Sequence, residues 1–368
     1  MQSINRIKDM SNEIGTVLRL TTFGESHGEA MGGVIDGFPA RVAVDLERLQ
    51  EQVSRRRPGQ SAVTTQRSEQ DRVEILSGIK DGMTLGTPIG FIVRNTDHRS
   101  EDYDEMAHVY RPSHADYTYE ARYGIRDHRG GGRASARETV SRVVAGALAA
   151  QLLERHGVRV VAYSSQIGDV KVEEDYGRLN LNEVYNSDVR CPDGGAAHRM
   201  RVAIEQARTE RDTLGGIVTC VVTGLPAGVG DPVFGKLQAR LAAAMMSIPA
   251  AKGFDYGLGF GFADRRGSEV IDEFVMRDGR VRTLTNYSGG LQGGITNGED
   301  LVMRVCFKPI ATMPREVRTV DAGGNETVLT ARGRHDVCAV PRAVPVVEAM
   351  AALIVLDAML VAGKIIIE

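Results

Sequence analysis

The sequence predicts a single α+β domain in which strands and helices mix without regular alternation, and three observations lead there. Residues 216–223 and 301–307 are short β-branched runs of strand type, whereas 136–155 and 344–361 carry apolar residues as long helical segments. Their order does not follow the strand–helix alternation of a doubly wound sheet or a barrel. No Ser/Pro-rich linker or long charge run divides the 368 residues, so one unit over 1–368 is expected, with 1–14 as an N-terminal extension.

In chain order, residues 17–22 form the first strand, ending in the polar loop Phe23-Gly24-Glu25-Ser26-His27-Gly28, and 31–35 the second. Residues 45–57 form a helix with Asp45 as N-cap and Pro58-Gly59 as stop. The longest helix runs from about 136 to 155, because Val140, Val143, Val144, Ala147, Leu148 and Leu152 share one face. Ser135 and Glu138 have the spacing of a capping box at its start. Residues 216–223 follow as a strand, and Asp231-Pro232 opens a helix over 233–246 with proline in its first turn. Asp278-Gly279 marks a hairpin in 277–282. A glycine-rich stretch, 288–294, precedes the strand 301–307, and a helix over 344–361 closes the chain. No internal repeat is visible.

Composition narrows the function classes. A formal net charge of -3 gives no general attraction to nucleic acid or anionic membrane. Aromatic residues at 5% and the absence of Trp also speak against base stacking, so a polyanion-binding protein using the arginine clusters is the weaker reading. The four cysteines, Cys191, Cys220, Cys306 and Cys338, have neither metal-ligand spacing nor a disulfide framework, which fits a reducing, cytoplasmic compartment. No metal site is expected. The N-terminus lacks an apolar signal region. The apolar stretch 344–362 is interrupted by Glu348 and Asp357, so a buried helix is expected there rather than a membrane span.

Five clusters carry chemistry. Gly24–Gly28 places His27 between glycines, suited to close ligand approach and proton transfer near neutral pH. Ser54-Arg55-Arg56-Arg57 either complements a helix C-terminus or clamps a carboxylate or phosphate. Arg111-Pro112-Ser113-His114-Ala115-Asp116 supplies a second histidine. The run RGGGRASAR, 129–137, sets glycines against a helix start and adds Arg133 and Arg137 where helices ordinarily prefer acids, the pattern of an anion cradle. Lys308-Pro309 ends a strand, and Gly333-Arg334-His335-Asp336 lies further on.

In this order the clusters resemble the signatures of the chorismate synthase family. GESHGEAMGGVIDGFP is similar to its first motif, GGRASARETVSRVVAGAL to its second and GRHDVCAVPRAVPVVEAM to its third. RPSHADYTYEARYGIRDHRGGG, NTDHRSEDY, SIPAAKGF, GGLQGGITNG and FKP resemble family segments between them, and the likeness runs from about Gly15 to Leu360. The resemblance implies a β-α-β sandwich assembled as a homotetramer. It implies 1,4-anti elimination of phosphate from 5-enolpyruvylshikimate 3-phosphate, giving chorismate with reduced FMN and no net redox change. NADPH is implied as a source of reducing equivalents, and an FMN reductase performing real hydride transfer is the rival enzyme.

By the same resemblance His27 is the acid for the departing phosphate, His114 supports the reduced flavin, and Asp336 assists proton movement. Arg56, Arg111, Ser135, Arg137 and Arg334 match substrate positions. Arg133, Ala134, Ser135, Pro249, Ala250, Gly293, Lys308, Pro309, Ile310, Ala311, Thr312 and Arg334 match positions expected to line the FMN. The chain departs from the family pattern at Ala62, where an arginine is common, and at Ala134, Ile310-Ala311 and the segment KGFDYGLGF.

Overall fold

The computed structural model describes residues 12–57, 71–95, 106–330 and 336–367. Among these, two five-stranded antiparallel sheets enclose a helical layer. The first sheet has the order Glu13–Ile14, Arg19–Phe23, Ala30–Asp36, Ile89–Arg94, Val73–Ile75. The second has the order Ala251–Tyr256, Leu301–Phe307, Gly216–Thr223, Arg159–Ile167, Val170–Lys171. The helices in chain order are α1 (Leu46–Arg55), α2 (Asp116–Tyr123), α3 (Thr139–Arg155), α4 (Gly194–Thr209), α5 (Leu237–Met246) and α6 (Val340–Val361).

The centre is the crossing of α3 and α6. Helix α3 also packs on the first sheet, and α6 on the second, so each is apolar nearly all round and buries most of its residues. Their backbones come close at Gly146, where a Cβ would lie 2.3 Å from Ala349 Cα. One contiguous core runs from Leu18 to Met359 through both sheets, which is the β-α-β sandwich expected.

The two acids that interrupt the apolar C-terminal stretch each have partners. Asp357, fully buried, accepts the backbone N–H groups of Thr16, Val17 and Leu18, each at 2.8 Å, and pairs with Arg240. Glu348 accepts Ala162 N–H at 2.8 Å and the Tyr185 hydroxyl. Helix α6 is long and apolar enough to cross a membrane, but 83% of its most apolar window lies inside the fold. The four cysteines are free, and three are buried.

Several boundaries differ from the sequence reading. Ser135 does cap a turn, its Oγ accepting Arg137 N–H at 3.3 Å, but that turn is a 3-10 segment over Ala136–Glu138, and α3 starts only at Thr139. Glu138 does not complete the capping box; it pairs with Arg142 at 2.9 Å. The helix expected over 233–246 splits into a 3-10 turn, Val233–Gly235, and α5, because Lys236 is extended. Asp231 does not cap it; instead Leu237 N–H donates to Gly294 O at 3.0 Å. Helix α6 begins at Val340, with a proline in its first turn and Pro345 inside. The Asp278-Gly279 hairpin, the strands Gly216–Thr223 and Leu301–Phe307, and the Asp45 cap stand as expected. Of the expected extension, Glu13–Ile14 already pairs with Arg19–Phe23, and residues 1–11 lie outside the described set.

Candidate active site

The site forms where the first sheet's loop 24–28 meets the glycine run before α3. Gly130, Gly131 and Gly132 all take positive φ, of 65°, 94° and 53°, a conformation costly to residues bearing a Cβ. That bend brings the backbone against both histidines. A Cβ at Gly130 would lie 2.1 Å from His27 Cε1, and one at Gly131 would lie 2.9 Å from His114 Cε1. Consecutive glycines therefore seat the two imidazoles side by side along one loop. His27 is buried, and its Nδ1 lies 3.2 Å from Ser26 Oγ.

His114 is fixed by Asp116, which the sequence reading quoted without giving it a role. The Asp116 carboxylate lies 3.0 Å from His114 Nδ1 and accepts Arg111 Nε and Nη2, each at 2.7 Å. It also accepts Arg111 N–H at 3.0 Å. Burial alone would raise its pKa, but the bonds from Arg111 and His114 outweigh it and hold the carboxyl well below the usual range. Proton and charge logic therefore put Nδ1–H toward Asp116, leaving Nε2 beside Gly131, where a Cβ would lie 3.2 Å from it.

A second cluster abuts the first. Arg56 Nη2 donates to Asp71 Oδ2 at 2.7 Å, and Arg137 pairs with the other oxygen of the same carboxylate. Burial raises the Asp71 pKa, yet the two guanidinium groups together hold it down. Burial pushes Arg56 below its ordinary value, with Asp71 opposing. Its Nε has no hydrogen-bond partner among the described residues. Arg137 Nε donates to Asn95 Oδ1 at 2.9 Å, while Asn95 Nδ2 donates to Glu25 O and Gly28 O at 3.1 and 2.8 Å. Asn95 thus couples the His27 loop to the arginine pair. Asp336 pairs with Arg342, whose Nε donates to Arg56 O at 3.4 Å.

The flavin-side residues expected from the sequence form a third group. Ala250 O accepts Lys308 N–H at 3.0 Å, so Pro249-Ala250 lies against Lys308-Pro309. Ile310 O accepts Thr213 Oγ1 at 2.8 Å, and Ala311 and Thr312 follow in the same partly buried segment. Lys308 Nζ donates to Ser113 O at 2.6 Å, tying this strand end to the His114 loop. Burial lowers the Lys308 pKa, and Lys252 adds to the effect. Arg133 reaches the other way, to Thr22 Oγ1 at 2.7 Å, and Ala134 N–H donates to Gly131 O at 3.0 Å. Gly293 stands apart, at the tip of the hairpin Leu291–Gln292 and Ile295–Thr296, with no atom within 4 Å of a Cβ built there. Arg334 and Ala62 lie outside the described residues.

Sequence reasoning missed Glu25, Asp71, Asn95, Asp116 and Arg342. Glu25 sits against Gly132, and burial raises its pKa while Arg133 opposes. Glu25, Asn95, Asp116 and Arg342 lay inside quoted motifs, and pairing the arginines there with nearby acids would have pointed to Asp116; Asp71 lay in none.

Fold and site together place buried arginines beside two histidines in an α+β sandwich. The chain belongs to the chorismate synthase family, whose model, described as chorismate synthase, matches residues 18–360. A chorismate synthase of Phocaeicola vulgatus is 55% identical over 348 residues, 95% of this chain and 97% of that one. A chorismate synthase of Synechocystis sp. is 53% identical over 353 residues, 95% of this chain and 98% of its own. A solved structure titled "Crystal Structure of Chorismate Synthase" superposes with a TM-score of 0.75 at 31% identity, covering 94% of this chain and 92% of that one.

Proposed function

We propose that the chain forms chorismate by 1,4-anti elimination of phosphate from 5-enolpyruvylshikimate 3-phosphate, as a carbon–oxygen lyase that requires reduced FMN. One observation carries the reading: two buried arginines share a single carboxylate next to a glycine loop flanked by two histidines. Two buried arginines on a shared carboxylate, with an Arg56 Nε that has no hydrogen-bond partner among the described residues, suit an anionic substrate. Lys308, Arg133 and the uncrowded Gly293 suit a phosphorylated cofactor such as FMN.

In this mechanism Arg56, Arg111, Ser135, Arg137 and Arg334 bind the carboxylates and phosphate and stabilise charge on the leaving group. His27 donates a proton to the departing phosphate oxygen. His114, its Nδ1–H held on Asp116, presents Nε2 to the cofactor side. Asp336, held on Arg342, accepts or returns a proton nearby. Reduced FMN, when bound, would supply transient electron density to a reaction with no net redox change. Arg133, Ala134, Ser135, Pro249, Ala250, Gly293, Arg334 and residues 308–312 would hold it.

The reading extends to a cytoplasmic homotetramer with NADPH as a source of reducing equivalents, and to one domain over 1–368. Phe234, Phe260 and Met276, exposed by 95%, 85% and 69%, support burial of apolar surface against another copy. The deciding experiment is anaerobic turnover with chemically reduced FMN, following chorismate and phosphate together. Stoichiometric release of both, absent with oxidised FMN, is expected. NADPH oxidation without elimination would refute the reading.

A further inference from the structure

One side chain joins the start of α3 to the end of α5. Arg142 Nε donates to Glu138 Oε2 at 3.0 Å, and its Nη2 lies 2.9 Å from Oε1, so the carboxylate holds the guanidinium as a fork. From that position the guanidinium spans to Ser247, donating through Nη1 to Oγ at 2.6 Å and through Nη2 to the backbone O at 3.1 Å. Glu138 is 3% exposed and closes the turn capped by Ser135, the turn that also carries Arg137. Ser247 is the C-cap of α5, and its hydroxyl donates to Ala244 O at 2.6 Å.

A cation at a helix C-terminus stabilises the helix in any fold, and on that ground alone Arg142 would be a cap of α5. The chain beyond Ser247 gives it a second task. Three residues on, Ala250 takes a φ of 69°, a left-handed bend unfavourable to any residue with a Cβ. Such a conformation persists where its surroundings over-determine it, as they do at ligand sites. Downstream the bend is fixed by Ala251 N–H, which donates to Ile248 O at 3.1 Å, and by Lys308 N–H, which donates to Ala250 O at 3.0 Å. Upstream it is fixed by Arg142 on Ser247.

We propose that Arg142 is a positioning residue for the flavin side of the site, fixing the segment 247–250, with Ala250 in its bend, against the turn that carries Ser135 and Arg137. The inference rests on the reading that Pro249 and Ala250 line the FMN. Arg142 acts through the backbone of that wall and not on the reacting atoms. Its loss therefore lets the wall relax while the substrate arginines keep their own partners, Asp71 and Asp116. Flavin binding should weaken, and substrate binding should not.

Titration of the full chain into oxidised FMN, read by quenching of flavin fluorescence, tests this. Arg142→Met should raise the Kd for FMN about tenfold, while the KM for the elimination substrate at saturating FMN stays within about twofold. Arg142→Lys keeps the charge but not the planar fork, and its Kd should fall between those of the parent and Arg142→Met. Adding Ala250→Gly to Arg142→Met should recover about threefold, because glycine takes a φ of 69° without the cost. General loss of stability is read by Arg48→Met, which removes the bidentate hold on Glu154, at 2.6 and 2.5 Å, in the last turn of α3. That variant should leave the Kd within about twofold. An Arg142→Met Kd within about twofold of the parent, or an equal rise in Arg48→Met, would overturn the proposal and leave the FMN reading intact. Failure of the parent itself to bind FMN would overturn both.

Discussion

Replacing Asp116 by asparagine tests the part of the site that sequence motifs did not assign. The carboxylate is 3% exposed and takes four donors: Arg111 Nε and Nη2 at 2.7 Å, Arg111 N–H at 3.0 Å and His114 Nδ1 at 3.0 Å. Arg126 Nη1 lies 3.7 Å away. One oxygen serves Arg111 Nη2 and His114, the other Arg111 Nε and its N–H. An asparagine keeps one of these oxygens and turns an NH₂ toward donors on the other side, whichever way it is placed. Two bonds are lost, and Arg111 and Arg126 lose their buried counter-charge. Breaking a buried ion pair costs about 3–5 kcal/mol, and the retained oxygen places the loss near the lower end, about 3 kcal/mol.

Two assays read this. Equilibrium urea unfolding at pH 7 should show the loss of about 3 kcal/mol. The folded-state pKa of Asp116 is depressed, so its stabilisation is fully present above the ordinary carboxylate value of 3.8 and disappears as pH falls through the folded value. The gap between parent and variant should therefore shrink in acid. Turnover should fall roughly 100-fold, because a neutral amide lacks the charge that holds the His114 Nδ1–H and the Arg111 fork together. A variant within about 1 kcal/mol of the parent and within threefold of its turnover would refute the reasoning.

Three further outcomes follow from the same geometry. His27→Ala should lower kcat by roughly 100-fold while leaving urea unfolding nearly unchanged, and near-normal kcat would remove it from the mechanism. Gly131→Ala forces a Cβ into a backbone at φ 94° and to 2.9 Å from His114 Cε1, costing about 1–3 kcal/mol and displacing the imidazole; normal activity would show the loop is not a seat for it. Glu348 has a folded pKa raised from 4.5 to about 7, so the native state binds its proton more tightly and stability is lost as pH rises through that window. Glu348→Gln should gain about 2–3 kcal/mol on the parent between pH 4.5 and 8, and a pH-independent difference would contradict the raised value.

What the sequence made legible follows the range of the interactions involved. Gly216–Thr223 and Leu301–Phe307 are read to the residue because β-branched composition is a local signal. The Asp278-Gly279 hairpin is equally local, since both residues take positive φ, 52° and 73°. The start of α3 was misread although its spacing was right. Glu138 had two partners in reach, and Arg142 one turn on offered a charge where the Ser135 backbone offered only an N–H. The split before α5 was invisible because the group that caps it, Gly294 O, is 57 residues away in the chain.

The site divides in the same way. Its cations announce themselves, since Arg133 and Arg137 stand at a helix start where the dipole disfavours them. The carboxylates that hold them do not, because Asp71 reaches Arg137 across 66 residues and has no motif of its own. Yet Asp71 decides what the arginines can do. Without it, two buried like charges would repel at close range. One carboxylate shared by Arg56 and Arg137 holds both side chains in place, beside the Asn95 link to the histidine loop. That shared hold, rather than the number of arginines, fixes where an anionic substrate would meet guanidinium groups, and it depends on a residue that only the fold brings into view.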